Sequence, residues 1–132
     1  RWARAAGGEA VTTHLASGNV LFRASSDAAA EGVRSDPGSL GVVIGGSGNG
    51  EQIAANKVAG VRAALAWNLD TARLARAHND ANVVAVGGRQ HSLEEATELI
   101  EAFLTEPFSQ DERHVRRIAK IAHYETTGEV LM

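Results

Sequence analysis

The fold is decided by residues 39–57, Ser39-Leu-Gly-Val-Val-Ile-Gly-Gly-Ser-Gly-Asn-Gly-Glu-Gln-Ile-Ala-Ala-Asn-Lys57. The run Leu40–Ile44 is continuously apolar and rich in β-branched residues, the pattern of a strand buried on both faces. Gly46–Gly50 make a turn, and Glu51–Val58 fit a helix with Ile53, Ala54 and Val58 on one side. A glycine turn between strand and helix usually cradles a phosphate. Here the phosphate-loop motif fails. Gly45 and Gly50 have its spacing, but Glu51-Gln52 stand where it needs Lys and Ser or Thr. The dinucleotide fingerprint fails at the same residue, because Glu51 takes the place of its third glycine after Gly46 and Gly48.

Outward from this unit the pattern repeats. Val61–Trp67 is a second strand, and Asn68 or Asp70 opens a helix through Asn79. Ala81–Gly88 is a third apolar run that ends in glycines. Ser92 and Glu95 form a capping box for a helix through Leu104, and after Pro107 residues 109–125 read as a final helix. The β-α-β-α-β-α order predicts a three-layer Rossmann-like α/β fold, a mostly parallel sheet with helices on both faces. Ligands in such folds bind beyond the carboxyl ends of strands. Segments 45–51, 78–79 and 87–89 lie at strand or helix ends and are the candidates.

The first third reads differently. Val11–Thr13 and Val20–Phe22 are β-prone runs around Ser17-Gly18-Asn19, a hairpin signature. Ser26 or Asp27 can cap a short helix through Val33, and Asp36-Pro37-Gly38 is a turn. The whole is expected to be a single α/β domain, with residues 1–35 atypical and 36–132 regular.

Composition narrows the chemistry. The 132 residues are 44% hydrophobic and 22% charged, values of a globular domain. There is no cysteine, so disulfides, thiolate catalysis and cysteine-based zinc sites are excluded. A net charge of -3 argues against a broad nucleic-acid surface. No apolar run approaches the ~18 residues of a membrane span, and the first ten residues lack a signal-peptide core, so a cytoplasmic location is expected.

A carboxylate beside a turn rich in N–H groups suits proton abstraction next to a carbonyl. The base removes a carbon-bound proton while the N–H groups stabilise the enediolate. A first-turn glutamate that merely favours the helix dipole is the competing reading of Glu51. On the final helix, Val115, Ile118, Ala119 and Ala122 recur with helical spacing and predict its buried stripe. Arg113 and Arg117 stand one turn apart near Lys120. They suit a bidentate phosphate clamp, or a solvated basic face paired with Asp111 or Glu112. No histidine pair has a metal-ligand spacing with a carboxylate, so no metal is expected. His14, His91 and His123 carry no assignment, Trp67 is read as core or rim packing, and Asn56 and Lys57 as the outer face of their helix.

The stretches 39–67, "SLGVVIGGSGNGEQIAANKVAGVRAALAW", 75–89, "ARAHNDANVVAVGGR", and 107–129, "PFSQDERHVRRIAKIAHYETTGE", together resemble the ribose-5-phosphate isomerase B family. The resemblance runs over residues 36–128, and the family includes galactose-6-phosphate isomerase subunits. Ser47 and the lack of cysteine resemble its actinobacterial branch, where the base is a glutamate. The resemblance implies Glu51 as the proton-transferring base, with Ser47 and the Gly46, Gly48, Asn49 and Gly50 backbone holding the enediolate. It implies His78 in ring opening, Asn79 at the sugar hydroxyls, and Arg89, Arg113 and Arg117 at the phosphate, with His114 beside them. It implies a pentose-phosphate substrate, no metal or organic cofactor, and a homodimer or higher oligomer whose sites are shared between subunits. The family's opening Asp-His-Ala-Gly strand and its Asp-Asp-Tyr-Pro segment are not found in residues 1–38. There, residues 5–28 resemble a fragment of an uncharacterised bacterial α+β domain, carried by Leu15 to Phe22. This implies a hairpin in place of the family's first βα unit. The alternative function is then an inactive, recombined isomerase scaffold serving folding, oligomerisation or binding.

Overall fold

A computed structural model describes residues 11–14, 20–23, 26–36 and 38–132. The hairpin turn at Ser17-Gly18-Asn19 and Pro37 lie outside the described residues. The elements are β1 (Val11–His14), β2 (Val20–Arg23), α1 (Ser26–Ser35), β3 (Leu40–Gly45), α2 (Asn49–Ala55), β4 (Ala63–Leu65), α3 (Leu69–Asn79), β5 (Val83–Gly87), α4 (Leu93–Thr105) and α5 (Glu112–Thr127). They form one sheet in the order β1-β2-β3-β5-β4. β1 pairs antiparallel with β2, and every other pairing is parallel.

The continuous apolar runs are explained by burial on both faces. Along β3 and β5 successive side chains point to opposite sides. Val42, Val84 and Val86 pack with Ala72 and Ala75 of α3 and with Ala96, Leu99 and Phe103 of α4. Val43, Val83 and Ala85 pack on the other face with Ala30 and Val33 of α1 and Ala55 of α2. Val42, Val43, Val83, Val84 and Val86 are all fully buried. Each such side chain removed from water contributes about 1.5–3 kcal/mol before entropy is counted. The register pairs Gly41 with Val83 and Gly45 with Gly87, so β3 and β5 end level with each other.

Two helices differ from their sequence reading. α2 begins at Asn49 and ends at Ala55, earlier at both ends than Glu51–Val58. Gly48 sets the start, in the left-handed region at φ 82°. Beyond Ala55 the chain tightens into i→i+3 bonds, with Lys57 and Val58 donating to Ala54 and Ala55. Asn56 does not merely cover an outer face. Its side-chain amide accepts from the Ala63 N–H (2.8 Å) and donates to the Ala63 carbonyl (2.9 Å). It thus supplies a strand's two hydrogen bonds to the free edge of β4.

The predicted stripe of α5 is the second departure. Val115 is 47% exposed, Ala119 and Ala122 are exposed, and only Ile118 is partly covered. The helix crosses the amino-terminal side of the sheet. At one end it meets α3, and at the other the Glu125 carboxylate accepts the Gly60 N–H (3.1 Å). Its periodicity is apolar, but within one chain nothing among the described residues covers that face.

Candidate active site

The glycine turn lies at the carboxyl end of β3. Gly48 starts α2, and a Cβ there would lie 2.8 Å from Leu65 Cδ1 and 3.0 Å from the Val86 carbonyl carbon. The turn is laced to the one after β5. The Gly88 N–H donates to the Gly45 carbonyl (2.7 Å) and the Arg89 N–H to the Gly46 carbonyl (3.1 Å). Segments 45–51 and 87–89 are therefore one structure, as their positions at strand ends predict.

Glu51 turns back over this structure. Its carboxylate lies against the α-carbon of Gly45, where any Cβ would clash with the carboxyl carbon and both oxygens. The side chain is half-buried. The Ser47 hydroxyl oxygen accepts the Asn49 N–H (3.3 Å) and the Asn49 side-chain amide (3.2 Å), which leaves its own proton to donate elsewhere. Gln52 makes the first helical bond, to the Gly48 carbonyl (3.0 Å), so the N–H groups of Gly50 and Glu51 stand ahead of it in the open first turn. The Arg89 guanidinium packs beside Gly46, its nearest atoms 3.6 Å from a Cβ built there. One face thus carries a carboxylate, an uncommitted hydroxyl proton, open N–H groups and an arginine. It can take a carbon-bound proton and hold the oxyanion that results.

The remaining candidates gather elsewhere. α3 starts after the carboxyl end of β4 and runs back, so His78 and Asn79 sit near the amino ends of the strands. Asn82, just beyond them, accepts the Gly41 N–H on its carbonyl at the start of β3. A six-residue strand rises about 20 Å, which places His78 well away from Glu51 in the same chain. Segment 78–79 therefore does not join 45–51 and 87–89. It joins the start of α5 instead. The Ser109 N–H donates to the Ala77 carbonyl (3.0 Å), and the His78 and His114 rings lie 4.2 Å apart at a 30° tilt. Arg113 pairs with Asp111 at 3.7 Å, both largely exposed, while Arg117 makes no ion pair among the described residues.

His114 is buried, the only polar side chain so placed among the described residues. Burial depresses its pKa, with His78, Arg113 and Arg117 adding to the effect and Asp111 opposing it. Sequence reasoning assigned His114 only by its place beside the arginines. It missed the serine 2.9 Å from His114 Nδ1, Ser109. It also left His91 unassigned. The His91 ring lies 2.9 Å from the Trp67 carbonyl and 3.3 Å from that of Gly87, linking the ends of β4 and β5, with the Trp67 indole edge-on at 5.2 Å. Trp67 is a rim residue, half exposed. No spacing rule finds these contacts, because each joins segments far apart in the chain.

Two clefts of about 500 and 440 Å³ are lined by other residues. The first, at the amino ends, holds Arg62 and Arg76, which share the Asp80 carboxylate at 3.6 and 2.7 Å. The second lies beside Trp67 and His91. Neither is lined by Glu51. The candidate surface is an open, polar face.

The model of the ribose/galactose isomerase family matches residues 6–121. The chain belongs to that family. The match begins well ahead of residue 36, so it runs through the segment that looked foreign in sequence. Ribose-5-phosphate isomerase B of Mycobacterium tuberculosis is 58% identical over 102 residues, which are 77% of this chain and 63% of that protein. The Mycobacterium leprae protein of the same name is 58% identical over 94 residues, 71% of this chain and 58% of its own. The chain thus spans about three-fifths of these curated relatives. Among solved structures, type B ribose 5-phosphate isomerase from Trypanosoma cruzi superposes with a TM-score of 0.75 at 50% identity, over 77% of this chain and 68% of that one. The Mycoplasma genitalium enzyme with bound ribulose-5-phosphate superposes at 0.72 and 40% identity, over 78% and 70%. These neighbours share the Rossmann-like parallel sheet with helices. Among the described residues, no helix is long and apolar enough to cross a membrane.

Proposed function

We propose that the chain is a sugar-phosphate isomerase that interconverts ribose 5-phosphate and ribulose 5-phosphate, with each site shared between two copies. The observation that carries the reading is the Glu51 carboxylate held against Gly45 at the mouth of the glycine turn. Glu51 takes the proton from C2 of the open-chain aldose. The C2–H electron pair becomes the C1–C2 double bond of the enediolate, and the carbonyl π pair moves to oxygen. The Ser47 hydroxyl and the N–H groups of Gly48, Asn49 and Gly50 hold that oxygen, a proton passes to it from the C2 hydroxyl, and the proton on Glu51 is returned to C1 as the C2 carbonyl forms. Here the Asn49 N–H exchanges its bond to Ser47 for the substrate. Arg89 stands at the same rim.

His78 and Asn79 open the sugar ring and hold its hydroxyls, and Arg113 and Arg117 grip the phosphate, with His114 behind them. These groups belong to the second copy. They stand at the opposite end of the sheet from Glu51, on a surface continuous with the uncovered apolar residues of α5. Burying Val115, Ile121 and Tyr124 against another subunit removes large side chains from water and brings the basic groups to an approaching site.

The test is formation of ribulose 5-phosphate from ribose 5-phosphate, with solvent deuterium followed into the sugar. Turnover with deuterium incorporation supports the reading, and turnover that survives Glu51→Gln unchanged overturns the mechanism. Binding without exchange would favour the inactive scaffold, the reading motivated by the missing Asp-His-Ala-Gly motif.

A further inference from the structure

His114 is a buried imidazole with a defined partner at one nitrogen and another ring against its face. The partner is Ser109, whose Oγ lies 2.9 Å from Nδ1. That Oγ also accepts the Asp111 N–H (3.2 Å), and the Ser109 N–H is anchored on the Ala77 carbonyl (3.0 Å). The serine is therefore fixed from both sides, to α3 and to the start of α5. A hydroxyl carries one proton and two lone pairs. With one lone pair taken by Asp111, the hydroxyl still has its proton to give to Nδ1, and a ring that accepts it carries its own proton on Nε2. The hydrogen bond at one nitrogen decides which tautomer an imidazole adopts.

We infer that Ser109 is a positioning residue that holds His114 as the neutral Nε2–H tautomer, giving His78 an uncharged ring to stack against. This rests on the isomerase reading in one respect, that His78 moves a proton at the sugar ring. An imidazolium on His114, 4.2 Å away, would oppose charge on His78. The groups facing His114 are His78 from α3, Arg113 and Arg117 from its own helix, and Asp111 at the helix start. Only Asp111 favours a proton on His114, and its carboxylate lies 3.9 Å from Nδ1. Without the Ser109 hydroxyl, Nδ1 faces that carboxylate alone.

The experiment uses the full chain labelled with nitrogen-15, reading the imidazole nitrogens of His114 across pH, with His114→Asn to assign them. In the unaltered protein Nδ1 should report an unprotonated acceptor. Ser109→Ala should shift the tautomer toward Nδ1–H and move His114 protonation to higher pH, and Ser109→Thr, which keeps the hydroxyl, should restore the original spectrum. In turnover of ribose 5-phosphate, Ser109→Ala should lower kcat roughly tenfold. It should also move the acid limb of the kcat/KM profile to higher pH, and Ser109→Thr should reverse both effects. Unmoved His114 resonances in Ser109→Ala, or an Nδ1-protonated ring in the unaltered chain, would overturn the inference. So would an unmoved acid limb beside a shifted tautomer. Failure of the isomerase reading shows separately, as absent turnover in the unaltered chain.

Discussion

At the carboxyl ends of β3 and β5 the candidate site is held by backbone. Carbonyl and N–H groups of two glycine turns bond to each other, and Glu51 lies on an α-carbon because no Cβ intervenes. At the other end of the sheet the groups are side chains on helix termini, His78 and Asn79 closing α3, Arg113, His114 and Arg117 opening α5. The first region stands on the ends of the valine-rich strands. The second stands on a helix whose apolar face is uncovered. One region is thus fixed by the sheet, while the other stands on a face that nothing among the described residues covers. A base must be placed to a fraction of an ångström, whereas cationic groups act over longer range. The difference in construction is what the proposed division of tasks requires.

The largest effect should come from the base. Glu51→Gln is isosteric and keeps the turn, and it should lower kcat for ribose 5-phosphate isomerisation about 10³-fold or more while leaving the circular dichroism spectrum unchanged. Complementation then tests the separation of the two halves. Glu51→Gln and Arg117→Ala proteins should each be nearly inactive alone. Mixed and refolded together, they should recover about a quarter of the unaltered activity, because half the dimers carry one site free of both changes. No recovery would return both halves to one chain and break the comparison.

Gly45→Ala should lower kcat roughly 10²-fold, since the new methyl must displace the Glu51 carboxylate. If activity persists, the contact with Gly45 is not the working position of the base. Asn56→Ala removes the two hydrogen bonds to Ala63 and should cost about 1–3 kcal/mol in urea unfolding, with little change in substrate affinity. That outcome would separate the scaffold of the first region from its chemistry.

The smallest effect concerns pH. His114 has a pKa depressed below the ordinary value of about 6.5, so the folded state binds its proton less readily than the unfolded state. Its contribution is fully present above about pH 6.5 and is lost as pH falls from there through the depressed folded value. The denaturation midpoint should therefore fall on acidification across that window. His114→Gln should flatten that fall, while Glu51→Gln should leave this part of the profile in place.

Much of the first region was legible in sequence because its determinants are local. Gly46 to Glu51 are neighbours in the chain, and a strand followed by a glycine turn and a helix can present a glutamate there in few ways. The arginines at 113 and 117 were legible as a pair for the same reason. The α5 stripe was misread because periodicity reports that a face is apolar, not whether the fold covers it. The roles of Ser109, His91 and Asn56 were not read because each acts on a residue reached only after the chain folds back.

Local order, alternation of apolar runs and the glycine turn already implied a parallel sheet with a glutamate at a strand end. Those features follow from backbone sterics and burial, which a few adjacent residues specify. Where His78 and the arginines stand relative to that glutamate was decided by tertiary structure alone. A helix that follows a strand must run back antiparallel to it, so residues at its end arrive at the opposite edge of the sheet from residues at its start.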